Sequence, residues 1–187
     1  MSNKVLTTKE TYNNAVATLQ KDLDLANVMN VPRISKVIVN TGIGRITKES
    51  EKVNEVFDSI TRITGQQPVK TKAKRSIAGF KIREGQDIGV KVTLRGQRMW
   101  DFLGRFIGTA LPRVRDFQGV PISSVDPNGN LNIGLTDHTV FPEIIPEHVK
   151  YIFGMQVTVV STAKNAEEGE ALFRAIGVPL QKEEENN

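Results

Sequence analysis

The chain has 187 residues, 39% of them hydrophobic and 25% charged, a net charge of +4 and no cysteine. That length supports one good core and is short for two, so a single domain over residues 1–187 is expected; the lack of cysteine excludes disulfides, thiol nucleophiles and cysteine metal sites and fits a reducing, cytoplasmic compartment. No apolar run approaches bilayer length, MSNKVLTTKE has no apolar signal core, and the two histidines His138 and His148 are too few for a zinc site, so no membrane, metal or other cofactor is expected.

In chain order, Tyr12, Val16, Leu19, Leu23 and Ala26 recur at helical spacing and predict an amphipathic helix that ends before Pro32, because the residue preceding proline avoids helical geometry. Ile34 to Asn40 reads as a strand, with Val37 and Val39 on one face and Lys36, Ile38 and Asn40 on the other. It leads through Thr41-Gly-Ile-Gly-Arg45 into a helix lined by Val53, Val56, Phe57, Ile60 and Ile63 and capped by Gly65. The glycines between strand and helix invite a phosphate-loop reading, but the spacing and lysine of such a loop are missing, and a plain strand-exit turn is expected.

Gln66 to Lys72 is a short polar strand that opens the most basic part of the chain. From Lys70 to Arg115 there are 12 cations against Glu84, Asp87 and Asp101, a balance of +9 in a chain of +4, so everything else sums to −5. A field concentrated in this way seeks a polyanion. Its first half, TKAKRSIAGFKIREG, has neither helical nor strand periodicity and predicts a long mobile loop, about 72–85, presented outward. Asp87 to Arg95 then alternates, with Val90, Val92 and Leu94 on a dry face and Lys91, Thr93 and Arg95 on a wet, basic one.

Met99, Phe102, Leu103, Phe106, Ile107 and Ala110 line one side of the next helix, which leaves Trp100 beside the stripe and ends at Leu111-Pro112-Arg113. A turn-rich loop follows, then a strand with Leu131, Ile133 and Leu135. TDHTVFPEIIPEH gathers Asp137, His138, Glu143, Glu147 and His148, but no serine or cysteine nucleophile stands nearby in sequence, and surface hydrogen bonding rather than acid–base catalysis is expected of them. Met155 to Val160 is a further strand. Asn165 and Glu168 open a last helix with Leu172, Ala175 and Ile176 on its buried edge and Gly177 and Pro179 at its end; the acidic tail, 181–187, should fray. The predicted fold class is α+β: a mainly antiparallel sheet of about five strands, helices packed on one face, and a long protruding basic loop. The open face would carry Lys36, Asn40, Lys91, Thr93 and Arg95, cations for phosphates beside amide and hydroxyl groups for 2′-hydroxyls and base edges.

TGQQPVKTKAKRSIAGFKIREG, VTLRGQRMWDFLGRF, ALPRVRDFQG and NLNIGLTDHTVFPEI, taken in order, resemble the bacterial branch of the universal large-subunit ribosomal protein five family, whose members bind 5S rRNA. The resemblance runs from about Pro32 to Pro179. It implies a non-enzymatic component of the central protuberance, on cytoplasmic ribosomes, that anchors 5S rRNA and neighbours 23S rRNA and other large-subunit proteins. By that resemblance the 5S rRNA-binding residues are Lys36, Asn40, Gln66, Thr93, Arg95 and Asp137. It implies that the basic loop, with Lys72, Lys74, Arg75, Ser76, Lys81 and Arg83, approaches peptidyl-site tRNA. It also implies that the region of Arg113, Arg115 and Asp116 meets a small-subunit head protein across an intersubunit bridge. The family usually follows its carboxylate with glutamine where this chain has His138. The competing readings are a phosphate-handling enzyme built on Thr41 to Arg45 and Asp137/His138, and a generic nucleic-acid-binding module.

Overall fold

The computed structural model describes residues 7–47 and 49–181; the acidic tail falls outside them from residue 182 onward. Over the described residues the chain is α+β, with an open antiparallel sheet of five strands and four α-helices. The strands are β1 (Ile34–Gly42), β2 (Val69–Lys72), β3 (Asp87–Leu94), β4 (Leu131–Leu135) and β5 (Met155–Ser161), bonded in the order β2-β3-β1-β5-β4. The helices are α1 (Thr8–Asp22), α2 (Ser50–Thr64), α3 (Gly96–Arg105) and α4 (Ala166–Ala175). The residues form two compact units: Met1–Val37, Arg95–Ile133 and Thr158–Asn187 make the first, and Ile38–Leu94 with Gly134–Val157 the second.

In the first unit α1 packs on α3 and α4. Thr7 caps α1 reciprocally with Glu10, satisfying two of the amide groups that a helix start leaves unpaired. The helix stops at Asp22, short of the Ala26 that periodicity would include. Asp24 adopts a left-handed φ of 48°, while Leu25 N–H reaches back to Gln20 O and Asp24 N–H to Lys21 O, a Schellman closure that ends the helix before any influence of Pro32. Tyr12 stacks on Trp100 at 5.6 Å and donates its hydroxyl to Pro32 O, so Trp100 has a packing role beside the helical stripe. Burial of the Tyr12 ring raises its phenol pKa against the opposing field of Arg33.

α3 does not continue as an α-helix to Ala110. Phe106–Ala110 is one wide π turn, closed by Leu111 N–H donating to Phe106 O, and a tight turn over Leu111–Arg113 follows. The wider turn rotates what comes after it, so Phe106, Ala110 and Leu111 are buried while Ile107 is only half-buried. α4 is capped by Asn165 Oδ1, which accepts from Glu168 N–H, and Glu168 itself accepts from Lys164 N–H. Its buried edge is Leu172, Phe173 and Ile176; Phe173 is fully buried and takes the place expected for Ala175, which is half-buried.

In the second unit α2 packs on β3. Val53, Val56, Ile60 and Ile63 of α2 are buried, as are Val90, Val92 and Leu94 of β3, and Gly65 closes the helix at φ 67°. The alternation of β3 is therefore a packing pattern, and Lys91 and Thr93 fall on the face turned away from the core. β1 obeys the same parity: Val37, Val39 and Thr41 are buried while Asn40 is exposed.

Candidate nucleic-acid interface

The open-face residues of the second unit stand on strands whose other side is held by packing. β2 runs antiparallel to β3 with Val69 opposite Lys91 and Thr71 opposite Gly89, and a bulge falls between Thr71 and Lys72. Gly89 lies beneath this face. A Cβ there would stand 2.6 Å from Thr71 Oγ1, 3.3 Å from Thr41 O and 4.0 Å from Asn40 Oδ1, so glycine leaves the room in which Thr71 and Asn40 close over β3. Gln66, half-buried after α2, donates its side-chain amide to Thr93 O at 3.2 Å. Asn40, Gln66, Lys91 and Thr93 thus present amide, ammonium and hydroxyl groups from a rigid backing, a set able to meet phosphates and the hydrogen-bonding edges of nucleotides.

In the first unit, Lys36 is half-buried on β1, and Arg95 is exposed in extended backbone just before α3. Two further polar residues there escaped the sequence reading: the Thr158 hydroxyl donates to Asn132 Oδ1 at 2.8 Å, between β5 and β4. The signal was present in the parity of both strands, where Asn132 alternates with Leu131 and Ile133, and Thr158 with Val157 and Val159.

The basic loop is more ordered than its lack of period suggests. Ala73 is buried and exchanges backbone bonds with Gly85 and Gln86; Ile77 and Ile82 pair across the arms, and a short turn over Ala78–Phe80 is closed by Lys81 at a left-handed φ of 53°. Ser76 Oγ accepts from Glu84 N–H. A hairpin with so few rungs has no long alternating run for a sequence pattern to reveal. Lys72, Lys74, Arg75, Ser76, Lys81 and Arg83 are all exposed on it, and so is Phe80, at 75%. Arg113 and Arg115 are exposed beyond α3, where Asp116 takes a φ of 54° and its carboxylate lies 3.5 Å from Arg115 Nε; both of those side chains are almost wholly solvated, so the pair adds little stability.

The segment after β4 corrects one expectation. Asp137 is partly exposed and caps a short turn, its Oδ1 accepting from Thr139 N–H at 2.7 Å. His138 is not a surface residue. Its ring is fully buried, stacked on Phe153 at 3.9 Å, with Nδ1 accepting from Phe153 N–H and Nε2 without a hydrogen-bond partner. Burial lowers its pKa against the opposing fields of Asp137 and Glu55, so the ring is neutral. A buried, neutral imidazole facing a phenyl ring is poorly placed to exchange protons with a bound substrate, which takes His138 out of the two regions, Thr41 to Arg45 and Asp137/His138, on which the phosphate-handling enzyme rested. Among the described residues no group of three or more histidine and acidic side chains converges as a metal site would require, and no helix is long and apolar enough to cross a membrane.

Two family models match the chain: that of ribosomal protein L5 over residues 27–83, and that of the C-terminus of the same ribosomal family over residues 87–180. Among curated proteins, the large ribosomal subunit protein uL5 of Fusobacterium nucleatum is 50% identical over 89% of this chain and 91% of its own length. The protein of the same name from Dehalococcoides mccartyi is 46% identical over 96% of this chain and all of its own length, and that of Ureaplasma urealyticum is 47% identical over 93% and 95%.

Proposed function

The chain belongs to the ribosomal protein L5 family, and from that membership we propose a structural protein of the large ribosomal subunit that binds 5S rRNA and helps attach it beside 23S rRNA and neighbouring large-subunit proteins. The observation that carries the proposal is the open sheet face: Asn40, Lys91 and Thr93 alternate with fully packed Val39, Val90, Val92 and Leu94. Lys36, Asn40, Gln66, Thr93, Arg95 and Asp137 are the proposed 5S rRNA contacts. Lys36 and Arg95 meet phosphates, while Asn40, Gln66, Thr93 and Asp137 supply selectivity through 2′-hydroxyls and base edges. Gln66 also orders the backbone that carries Thr93. The hydrogen bond from Thr139 to Asp137 Oδ1 fixes that carboxylate, leaving Oδ2 to accept from RNA.

Two finer roles complete the proposal. The hairpin of Lys72, Lys74, Arg75, Ser76, Lys81 and Arg83 contacts peptidyl-site tRNA, and its exposed cations support that reading. Arg113, Arg115 and Asp116 contribute to the intersubunit bridge with a small-subunit head protein. Competition among 5S rRNA, unrelated duplex RNA and DNA over a salt series tests the 5S assignment. Specific binding should give a preference for 5S rRNA that persists as salt weakens all three complexes, and three curves that fall together would leave a generic nucleic-acid-binding module.

A further inference from the structure

The second unit holds an open groove of about 790 Å³ that none of Asn40, Gln66, Thr93 or Asp137 lines. Three pieces of chain wall it: the turn after β1 with Gly42, Gly44 and Arg45, the hairpin tip with Phe80 and Lys81, and the segment from Tyr151 to Gly154. We propose that this groove captures one unstacked nucleotide of single-stranded RNA, its base against Phe80 and Ile152 and its phosphate met by Arg45 and Lys81.

Four observations carry this assignment. Phe80 and Ile152 are 75% and 60% exposed, large apolar groups left uncovered where they flank a cavity of ligand size. Among the described residues the charged side chains lining the groove are Arg45 and Lys81, with no carboxylate, so an anionic occupant is favoured. Side chains added at Gly42 or Gly44 would meet nothing within 4 Å, which leaves bare backbone on which a planar ring can lie. The walls are also built in advance. Glu55 Oε1 accepts from Lys150 N–H at 2.7 Å and Tyr151 N–H at 3.2 Å, Phe153 is stacked on buried His138, and the Ile77–Ile82 pairing sets the hairpin tip. A preformed site loses little conformational freedom when it binds. An acidic peptide would satisfy the cations but would bring a planar ring to Phe80 only where it carries an aromatic residue, whereas every nucleotide joins a ring to a phosphate, and a base stacked on an aromatic side chain gains affinity whatever its sequence. The turn at Thr41 to Arg45 lacks the lysine of a phosphate loop in its own sequence; the fold supplies Lys81 from the hairpin instead.

The test is an NMR titration of the full chain with penta-adenylate, ribose 5-phosphate and hexaglutamate. Penta-adenylate should shift the amide signals of Gly42, Gly44, Ile152 and Gly154, with the two other anions about tenfold weaker at the same signals. Gly44→Leu, which fills open groove without touching a charge, and Phe80→Ala, which removes the stacking wall, should each weaken that response by about tenfold at an unchanged melting temperature. Equal responses to ribose 5-phosphate or hexaglutamate would overturn the proposal. So would a penta-adenylate response that survives both variants, or one confined to Asn40, Lys91 and Thr93 on the open sheet face with the groove signals unmoved.

Discussion

β3 and the hairpin that precedes it are both basic, yet they present their charges in opposite ways. Lys91 and Thr93 are carried by a strand whose alternate residues Val90, Val92 and Leu94 are fully buried, whereas the hairpin has Ala73 as its one fully buried residue and leaves Ile77 and Phe80 exposed at its tip. Groups on the strand are fixed by the core, so they can select among RNAs by position. Those on the hairpin are held by local backbone pairing, Ala73 with Gly85 and Gln86 and Ile77 with Ile82, and not by the packed core. Binding and stability should therefore be coupled at the strand and separate at the hairpin.

The largest expected effect breaks the comparison from the dry side. Leu94→Ala removes a fully buried side chain and should cost about 2–5 kcal/mol in denaturant unfolding, while Phe80→Ala should change stability by no more than about 0.5 kcal/mol. Comparable losses at both sites would mean that the hairpin belongs to the core.

Arg95→Ala sharpens the wet side. Arg95 is exposed, so its loss should leave melting unchanged and weaken 5S rRNA binding by about 1–3 kcal/mol, measured by titration at fixed salt. Unaltered affinity would remove Arg95 from the contact set.

A smaller effect lies at His138. Its pKa is lowered in the folded chain below the ordinary 6.5, so the unfolded state takes up a proton first as pH falls. Stability from this group is complete above the ordinary value and declines as pH drops below it, by at most about 1.4 kcal/mol per pH unit. The difference between wild type and His138→Gln in denaturant midpoints across pH 5 to 8 isolates that slope, with the variant flatter. Identical profiles would show that the ring is not held neutral by the fold. At neutral pH the glutamine should also cost about 0.5–1.5 kcal/mol through the lost stacking on Phe153.

The contrast also marks what the chain's pattern could reveal. Faces were legible wherever burial has a local period: Val37 and Val39 against Asn40, Val90 and Val92 against Lys91, and Val53, Val56, Ile60 and Ile63 of α2 lie as alternation or helical spacing requires, while Phe57 of the same expected stripe is only half-buried. Pairings across sequence were not. Gln66 meets Thr93 from 27 residues away, and His138 is buried because Phe153, 15 residues on, supplies its stacking surface. Backbone exceptions were hidden as well. The left-handed Asp24 ends α1 early, and the π turn after Arg105 moves burial from Ile107 to Leu111, since neither leaves a mark in hydrophobic spacing.

The most direct test of the central claim sets the two basic regions against each other on one ligand. A chain with Lys74 to Arg83 replaced by a short glycine-containing turn and a chain carrying Asn40→Ala with Thr93→Ala are titrated against 5S rRNA and unrelated duplex RNA. Trimming a surface hairpin changes closure entropy little, so the trimmed chain should melt as wild type does and keep its preference for 5S rRNA within about threefold. The double variant should lose most of that preference while retaining its nonspecific affinity. A preference that collapses on trimming and survives in the double variant would contradict the account and make the hairpin the seat of 5S recognition.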